Sequence, residues 1–331
     1  VMDEHMDPVV GDLSEGEILR RILERVGESS AVVGPGDDAA VIAAADGRVV
    51  ATVDTLVHGP DFRLAWSGAF DLGYKAAAVN LADIAAMGAT PTALLVAIAM
   101  PDSTRLSFVT GLADGLRAAC LELAPGCAVE GGDLTVSETL TIAVTALGAL
   151  AGRAPVLRSG ARPGDAVAVA GALGRAARGL RVLFDRFTDA AGTPVPIDER
   201  LLTTRERDDL AAQLRPTPPV ALGPAAAAAG ATAMMDVSDG LVLDATRLAE
   251  ASGITISIES AMLGSDPGSA LTGGEDHALL ATFPGDTALP HGFQRIGSVT
   301  PRGEAAVLVD GRPPTGPGGW DPYRDWDSRS G

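Results

Sequence analysis

The run Lys75-Ala76-Ala77-Ala78-Val79-Asn80-Leu81-Ala82-Asp83-Ile84-Ala85-Ala86-Met87-Gly88-Ala89 decides more about this chain than any other stretch. Its composition predicts a helix from about 69 to 87, closed by Gly88 as a C-terminal cap. Asn80 and Asp83 stand three residues apart and so share one helix face, beside Ala76 and Met87. Those two neighbours are small or apolar, which places the polar pair on or near the buried stripe. A buried carboxylate without a partner is costly, so a metal or a hydrogen-bond network is expected at Asp83.

Working outward, strand-like and helix-like segments alternate. Residues 13–26 carry Ile18, Ile22, Leu23 and Val26 at helical spacing. The β-branched stretch 49–53 reads as a strand leading into Asp54. A second long helix is expected over 106–123, stopped by Pro125-Gly126, and a strand over 140–147. The segment 153–164, with Gly160, Pro163 and Gly164, reads as a linker. Beyond it a strand at 166–170 and a helix at 173–187 open a second unit. A surface loop follows at 188–196, then a helix at 220–229, a strand at 232–235 and a helix at 240–252. This alternation is that of an α/β protein. The last twenty residues, rich in Gly and Pro, read as a tail held at most by an aromatic residue or two.

The whole chain sets limits. Its 331 residues are 47% hydrophobic, enough for two domains with real cores, and only 4% aromatic, so Ala, Val, Leu and Ile must fill them. A formal net charge of -18 repels nucleic acid and anionic membranes. No apolar run reaches the roughly 18 residues of a membrane span. Residues 1–12 are acidic and lack the basic flank and apolar stretch of a secretory signal. Cys120 and Cys127 form no CxxC pair or metal spacing, which suits two reduced thiols in a cytoplasmic protein. Lys75 is the only lysine. A P-loop of the GxxxxGK[ST] type is therefore absent, and something other than lysine must neutralise any phosphates the protein handles.

Acidic residues gather in short segments beside glycines or strand ends: Gly36-Asp37-Asp38, Asp54-Thr55, Gly131-Gly132-Asp133 and Asp236-Val237-Ser238-Asp239-Gly240, with Asp83 as a fifth. Each alone reads as ordinary turn or cap chemistry. Together, at the ends of elements where α/β folds gather ligands, they read as a site. Direct contact with phosphate is opposed by charge, at about 4 kcal/mol for like charges ~4 Å apart at an effective dielectric of 20. Magnesium resolves the conflict, taking carboxylate oxygens on one side and phosphate oxygens on the other. Zinc would want His or Cys ligands, and His5, His58, His277 and His291 show no suitable spacing. Composition and spacing thus point to a magnesium–phosphate site without a P-loop.

Seven motifs appear in order: Gly36-Asp37-Asp38-Ala39-Ala40, Val53-Asp54-Thr55-Leu56-Val57, the run 75–89, Gly131-Gly132-Asp133, residues 158–165 from Arg158-Ser159-Gly160, Asp236-Val237-Ser238-Asp239-Gly240-Leu241 and Gly273-Gly274-Glu275-Asp276. Together, from about residue 14 to 323, they closely resemble the thiamine-monophosphate kinases. The resemblance implies a two-domain α/β (α+β) fold of the aminoimidazole-ribonucleotide-synthetase-like superfamily. An N-terminal ATP- and magnesium-binding domain at 14–152 would pair into a homodimer around a shared β-barrel. An α/β domain at 153–312 and a tail at 313–331 would follow. The activity implied is ATP-dependent phosphorylation of thiamine monophosphate to the diphosphate.

Carried over by motif, Asp38, Thr52, Asp54, Asp83, Asp133, Asp236 and Asp239 resemble ligands for several magnesium ions, with Val53 contributing its backbone carbonyl. Gly132, Asp133, Arg158 and Ser238 resemble ATP contacts. Glu275 would bind the thiamine part, and Trp320 would stack on a ring. Such phosphoryl transfer needs positioning and charge neutralisation rather than a side-chain acid or base. Two departures stand out. The His expected four residues past the DTLV motif is Asp61 here, with a histidine displaced to His58, so Asp61 becomes the substrate-side candidate. His277 follows the GGED motif where an aromatic is common. Among relatives in the superfamily, selenophosphate synthetase would carry a reactive Cys in its N-terminal loop, and the hydrogenase-maturation protein a C-terminal Cys; neither is seen. A nucleotide-binding protein without turnover is the alternative of another class.

Overall fold

The structure, a computed structural model, describes residues 7–34 and 39–320. Its first half runs α1 (Glu15–Val26), β1 (Val50–Val57), α2 (Ala69–Ala86), β2 (Thr90–Met100), α3 (Leu106–Leu123), β3 (Ala128–Val136) and β4 (Thr141–Ala149). The four strands form one sheet in the order β1-β4-β2-β3, antiparallel except for the β2–β3 pair. Helices α2 and α3 cover one face. Buried and half-buried residues alternate along β4 with the period of two that a one-sided sheet requires.

Residues 153–164 carry no helix or strand and lead to the second half. There follow β5 (Ala166–Ala170), α4 (Arg175–Arg186), α5 (Thr204–Leu214), α6 (Leu222–Ala228), β6 (Ala233–Val237), α7 (Leu241–Ser252), β7 (Ile254–Ile258), α8 (Pro267–Thr272), β8 (Ala278–Phe283), β9 (Phe293–Pro301) and β10 (Val307–Val309). Six strands make a second sheet in the order β10-β7-β9-β5-β8-β6. Strands β5, β6 and β8 are buried at every residue, as strands covered on both faces must be. Helix α7 packs on one face of this sheet.

The other face receives α2, and this contact organises the molecule. A helix apolar all round belongs in an interior. Fourteen of the eighteen α2 residues are buried, and α2 packs on β1 and β4 of one sheet and on β6 and β8 of the other. One continuous core therefore joins Ala77, Ile84 and Val144 to Ala168, Met234 and Leu279. Small residues make the sandwich possible. At the α2–α3 crossing a Cβ on Gly73 would fall onto the Leu112 carbonyl, and one on Gly115 onto the Phe70 carbonyl. The helix stops where expected, with Gly88 at φ +72°.

Strands β2 and β3 were not among the sequence expectations. The Ala- and Leu-rich 90–100 run lacks the composition of a strand, yet it lies in the middle of the sheet, where tertiary pairing overrides propensity. Among the described residues no helix is long and apolar enough to cross a membrane.

Candidate active site

Polar residues meet where α2 is clasped between the sheets, at the C-terminal end of β6. Strand β1 turns Thr52 and Asp54 toward α2. The Thr52 hydroxyl donates to Asp83 Oδ2 at 2.7 Å, and the Asp54 N–H donates to Asn80 Oδ1 at 3.0 Å. Asn80 is fixed in turn, its Nδ2 donating to the Ala76 carbonyl at 2.9 Å. Asn80 thus satisfies a backbone donor on an edge strand from within a buried helix.

Asp236, at the end of β6, faces this pair. Burial raises the Asp54 carboxyl above its ordinary value and Asp236 adds to the rise, while His277 opposes it. Asp83 is pushed up to about 6, first by burial and then by the Asp236 charge, against the Thr52 hydrogen bond. His277 Nδ1 lies 3.1 Å from Asp236 Oδ2. Burial lowers this imidazole, but the Asp236 hydrogen bond and charge outweigh it and hold the ring above the ordinary histidine value. Its Nε2 is buried and, among the described residues, has no hydrogen-bond partner.

Two carboxyls raised by burial and by a third facing charge want a cation. Among the described residues no group of three or more His, Cys, Asp or Glu is arranged to hold a metal alone. Magnesium takes one or two carboxylates and fills its octahedron with substrate phosphates and water. The donor set is all oxygen at Thr52, Asp54, Asp83 and Asp236, the chemistry of a hard ion.

The loop after β6 leads into a cavity of about 550 Å³. Ser238, Asp239, Glu275, Lys75, Asp61 and Trp320 line it, with Phe62, Trp66 and Phe184 as apolar wall. Asp239 is bound to Arg247 at 2.6 Å, and the same guanidinium reaches Asp244 at 2.6 Å. Asp244 is wholly buried; burial first, then Asp236 and Asp239, push it up to about 6, and it accepts the Asp239 and Gly240 N–H groups. Asp239 is thereby held by its own loop. The Trp320 N–H donates to the Asp239 carbonyl at 2.9 Å, so the final described residue packs against the same loop.

The GGED segment serves two sides. Glu275 pairs with the Lys75 ammonium. Asp276 accepts the Ala176 N–H at 2.9 Å and caps the N-terminus of α4. Glu275 and His277 both have positive φ, +72° and +53°. Asp61 accepts the Val57 N–H at 2.7 Å; burial raises its carboxyl first, and Glu275 raises it further against Lys75.

The structure thus gathers Thr52, Asp54, Asp83 and Asp236 at one point, and Asp61, Ser238, Asp239, Glu275 and Trp320 around the adjoining cavity. Val53 turns its exposed side chain to the opposite face of β1. Gly132 and Asp133 stand elsewhere, on β3 at the far edge of the sheet. Three strand spacings separate them from β1, about 14 Å. There they border a second, largely apolar cavity of about 880 Å³ with Leu95 and Ala97. Arg158 is exposed in the connecting segment, its carbonyl accepting the Ser252 hydroxyl. Asp38 lies outside the described residues. Sequence reasoning passed over the pairing of His277 with Asp236, the Asp244–Arg247 brace and the Asp276 cap. The one available signal was that each stands inside or just after a glycine-flanked acidic motif.

Residues 36–150 match the family of AIR synthase related proteins, N-terminal domain. The chain is 41% identical over 338 residues to the thiamine-monophosphate kinase of Mycobacterium tuberculosis (strain H37Rv), covering 97% of this chain and 95% of that protein. Among solved structures it resembles the thiamine-monophosphate kinase of Stenotrophomonas maltophilia K279a, with a TM-score of 0.73, 33% identity, and coverage of 90% and 95%. It also resembles AaThiL complexed with AMPPCP and TMP, with a TM-score of 0.72, 31% identity, and coverage of 96% and 99%.

Proposed function

The chain belongs to the thiamine-monophosphate kinase family, and we propose that it performs that family's reaction, ATP-dependent phosphorylation of thiamine monophosphate to thiamine diphosphate. The observation that carries this reading is the union of two features at the end of β6. A carboxylate cluster, Asp54 and Asp83 facing Asp236, adjoins an aromatic-walled cavity that carries Asp61 and Glu275. The first suits magnesium and polyphosphate; the second suits a cationic ring with a phosphate tail.

The nucleophile is a phosphate oxygen that is already anionic, so no strong base is needed. Magnesium, when bound, neutralises the phosphates of donor and acceptor. Thr52, Asp54, Asp83 and Asp236 would hold it, with the Val53 carbonyl, Asp239, Asp133 and Asp38 as further ligands of several ions. The chain's own work is placement. Thr52 and Asn80 fix Asp83 and β1 against each other, and Arg247 fixes Asp239. Ser238, Gly132, Asp133 and Arg158 are assigned to ATP, whose distal phosphate must point in line at the acceptor. The distance of Asp133 from Asp54 makes any shared ion depend on a second copy of the chain. A homodimer through the uncovered face of the four-stranded sheet is part of the proposal; Val53, 60% exposed on that face, supports it. Trp320 and Glu275 are assigned to the thiamine moiety, and the protein to the cytoplasm. An N-terminal domain at 14–152, a second at 153–312 and a tail at 313–331 complete it.

The test is incubation with ATP, magnesium and thiamine monophosphate, following thiamine diphosphate and ADP by chromatography. Stoichiometric products, abolished by a chelator and lowered about a hundredfold or more by Asp54→Asn, are expected. A folded protein that binds ATP yet forms no thiamine diphosphate would refute the assignment.

A further inference from the structure

Lys75 is the only lysine of the chain, and it is buried on α2 at 5% exposure. A lysine is almost never buried unless it is paired. Its partners lie in the second half of the chain: the Glu275 carboxylate and the Gln213 carbonyl, the latter at 3.2 Å. All three line the 550 Å³ cavity. Arg63 and Arg181 border the same cavity from more exposed positions.

Glu275 reaches this lysine from an unfavourable backbone. Its φ of +72° is rare for a residue with a Cβ and persists only where surroundings impose it. The Glu275 N–H donates to the Ser238 carbonyl at 2.8 Å, which ties its backbone to the loop of Asp239. Burial raises the Glu275 carboxyl, and the Lys75 ammonium with His277 beyond it outweighs burial and leaves it below the ordinary value. The second carboxylate of this wall, Asp61, also lies within the field of both Lys75 and Glu275. A tie between halves with no further task would not need a carboxylate open to the cavity, since an ion pair of this kind is weak support for stability.

We propose that Lys75 is a positioning residue for the acceptor substrate: it fixes the Glu275 carboxylate at the cavity wall and offsets its negative charge there. The ammonium takes up the charge of Glu275 while leaving that carboxylate at the wall for a cationic ring to meet. Without the ammonium, Glu275 loses its anchor and its ion partner at the cavity wall. The role deepens the thiamine-phosphate reading and rests on it.

The test is steady-state kinetics on the full chain for both substrates, with melting temperatures, for Lys75→Met, Lys75→Arg, Glu275→Gln and the Lys75→Met/Glu275→Gln double variant. Lys75→Met is expected to raise the KM for thiamine monophosphate about tenfold while the KM for ATP moves by less than about twofold. Lys75→Arg should recover most of that loss, and in the Glu275→Gln background Lys75→Met should add little, as for two residues acting as one unit. Equal rises in both KM values, or full additivity with Glu275→Gln, would overturn the role and leave Lys75 a structural tie. Where Lys75→Met does not fold, the other two single variants decide. Glu275→Gln must then raise the thiamine-monophosphate KM selectively and Lys75→Arg must stay near wild type; an unchanged KM in Glu275→Gln overturns the proposal. A wild type that neither binds nor phosphorylates thiamine monophosphate overturns this and the family reaction together. A wild type that does both, with unaffected variants, overturns this alone.

Discussion

The Thr52 hydroxyl on β1 donates a 2.7 Å hydrogen bond to Asp83 on α2, tying the edge strand to the buried helix at the carboxylate cluster. It opposes a larger effect, since burial and Asp236 push the Asp83 carboxyl up to about 6.

A carboxyl raised above its unfolded value costs stability above its folded pKa, and that cost disappears as pH falls through it. Metal-free protein should therefore gain melting temperature between pH 7.5 and pH 5.5, relative to Asp83→Asn, by on the order of 2 °C. Magnesium with a non-hydrolysable ATP analogue should raise the melting temperature more at pH 7.5 than at pH 5.5, because the ion replaces the proton. Calorimetry at the two pH values reads both. A wild type and an Asp83→Asn variant with parallel pH profiles would show that Asp83 does not titrate in this window.

The α2–α3 crossing leaves no room for a methyl group. Gly73→Ala and Gly115→Ala each place a Cβ on a backbone carbonyl of the other helix, which only backbone movement relieves. Each should cost about 3 kcal/mol or more in urea unfolding. Gly47→Ala, at a turn where a Cβ meets nothing within 4 Å, serves as the surface comparison, although its φ of +72° carries a small strain of its own.

Asp276 holds the first turn of α4 through the Ala176 N–H. Replacing it with Ala should lose about 1–2 kcal/mol of stability. Since Glu275 and His277 flank it, the KM for thiamine monophosphate should rise as well. Amide exchange near Ala176 would report the loss of the cap directly.

Trp320 lines the cavity while its N–H bonds the Asp239 carbonyl. Trp320→Ala keeps that backbone bond and removes the ring. The expected result is a KM for thiamine monophosphate raised about 3- to 30-fold, the equivalent of roughly 0.5–2 kcal/mol of cation–π contact. Trp320→Phe should retain part of it. Equal KM values for all three proteins would place the ring outside the substrate site.

Much of this arrangement was legible along the chain, and the reasons divide cleanly. The 75–89 run declared both its helix and its buried polar face, because small apolar neighbours at Ala76 and Met87 leave Asn80 and Asp83 no water. The Ala166–Ala170 strand was legible from its bounded apolar run, and the structure places it at those residues. Strand β3 was not, because Gly131-Gly132-Asp133 carries the chemistry of a turn while lying within a strand. The Lys75–Glu275 and Asp236–His277 pairs were hidden for another reason: their partners are far apart in the chain, and only the closing of the two sheets on α2 brings them together. Motif order pointed to Asp38, Thr52, Asp54, Asp83, Asp133, Asp236 and Asp239 as one set. No spacing rule says that Asp133 ends at the opposite edge of its sheet.

Helix α2 touches both sheets and has almost no surface of its own. A cut within 153–164 would therefore not yield two independent halves. The first would carry a bare hydrophobic flank at Ala77 and Ile84, and the second an uncovered sheet at Met234 and Leu279. Helix α2 couples the two proposed domains through one shared core, and the chain is expected to melt in a single cooperative transition.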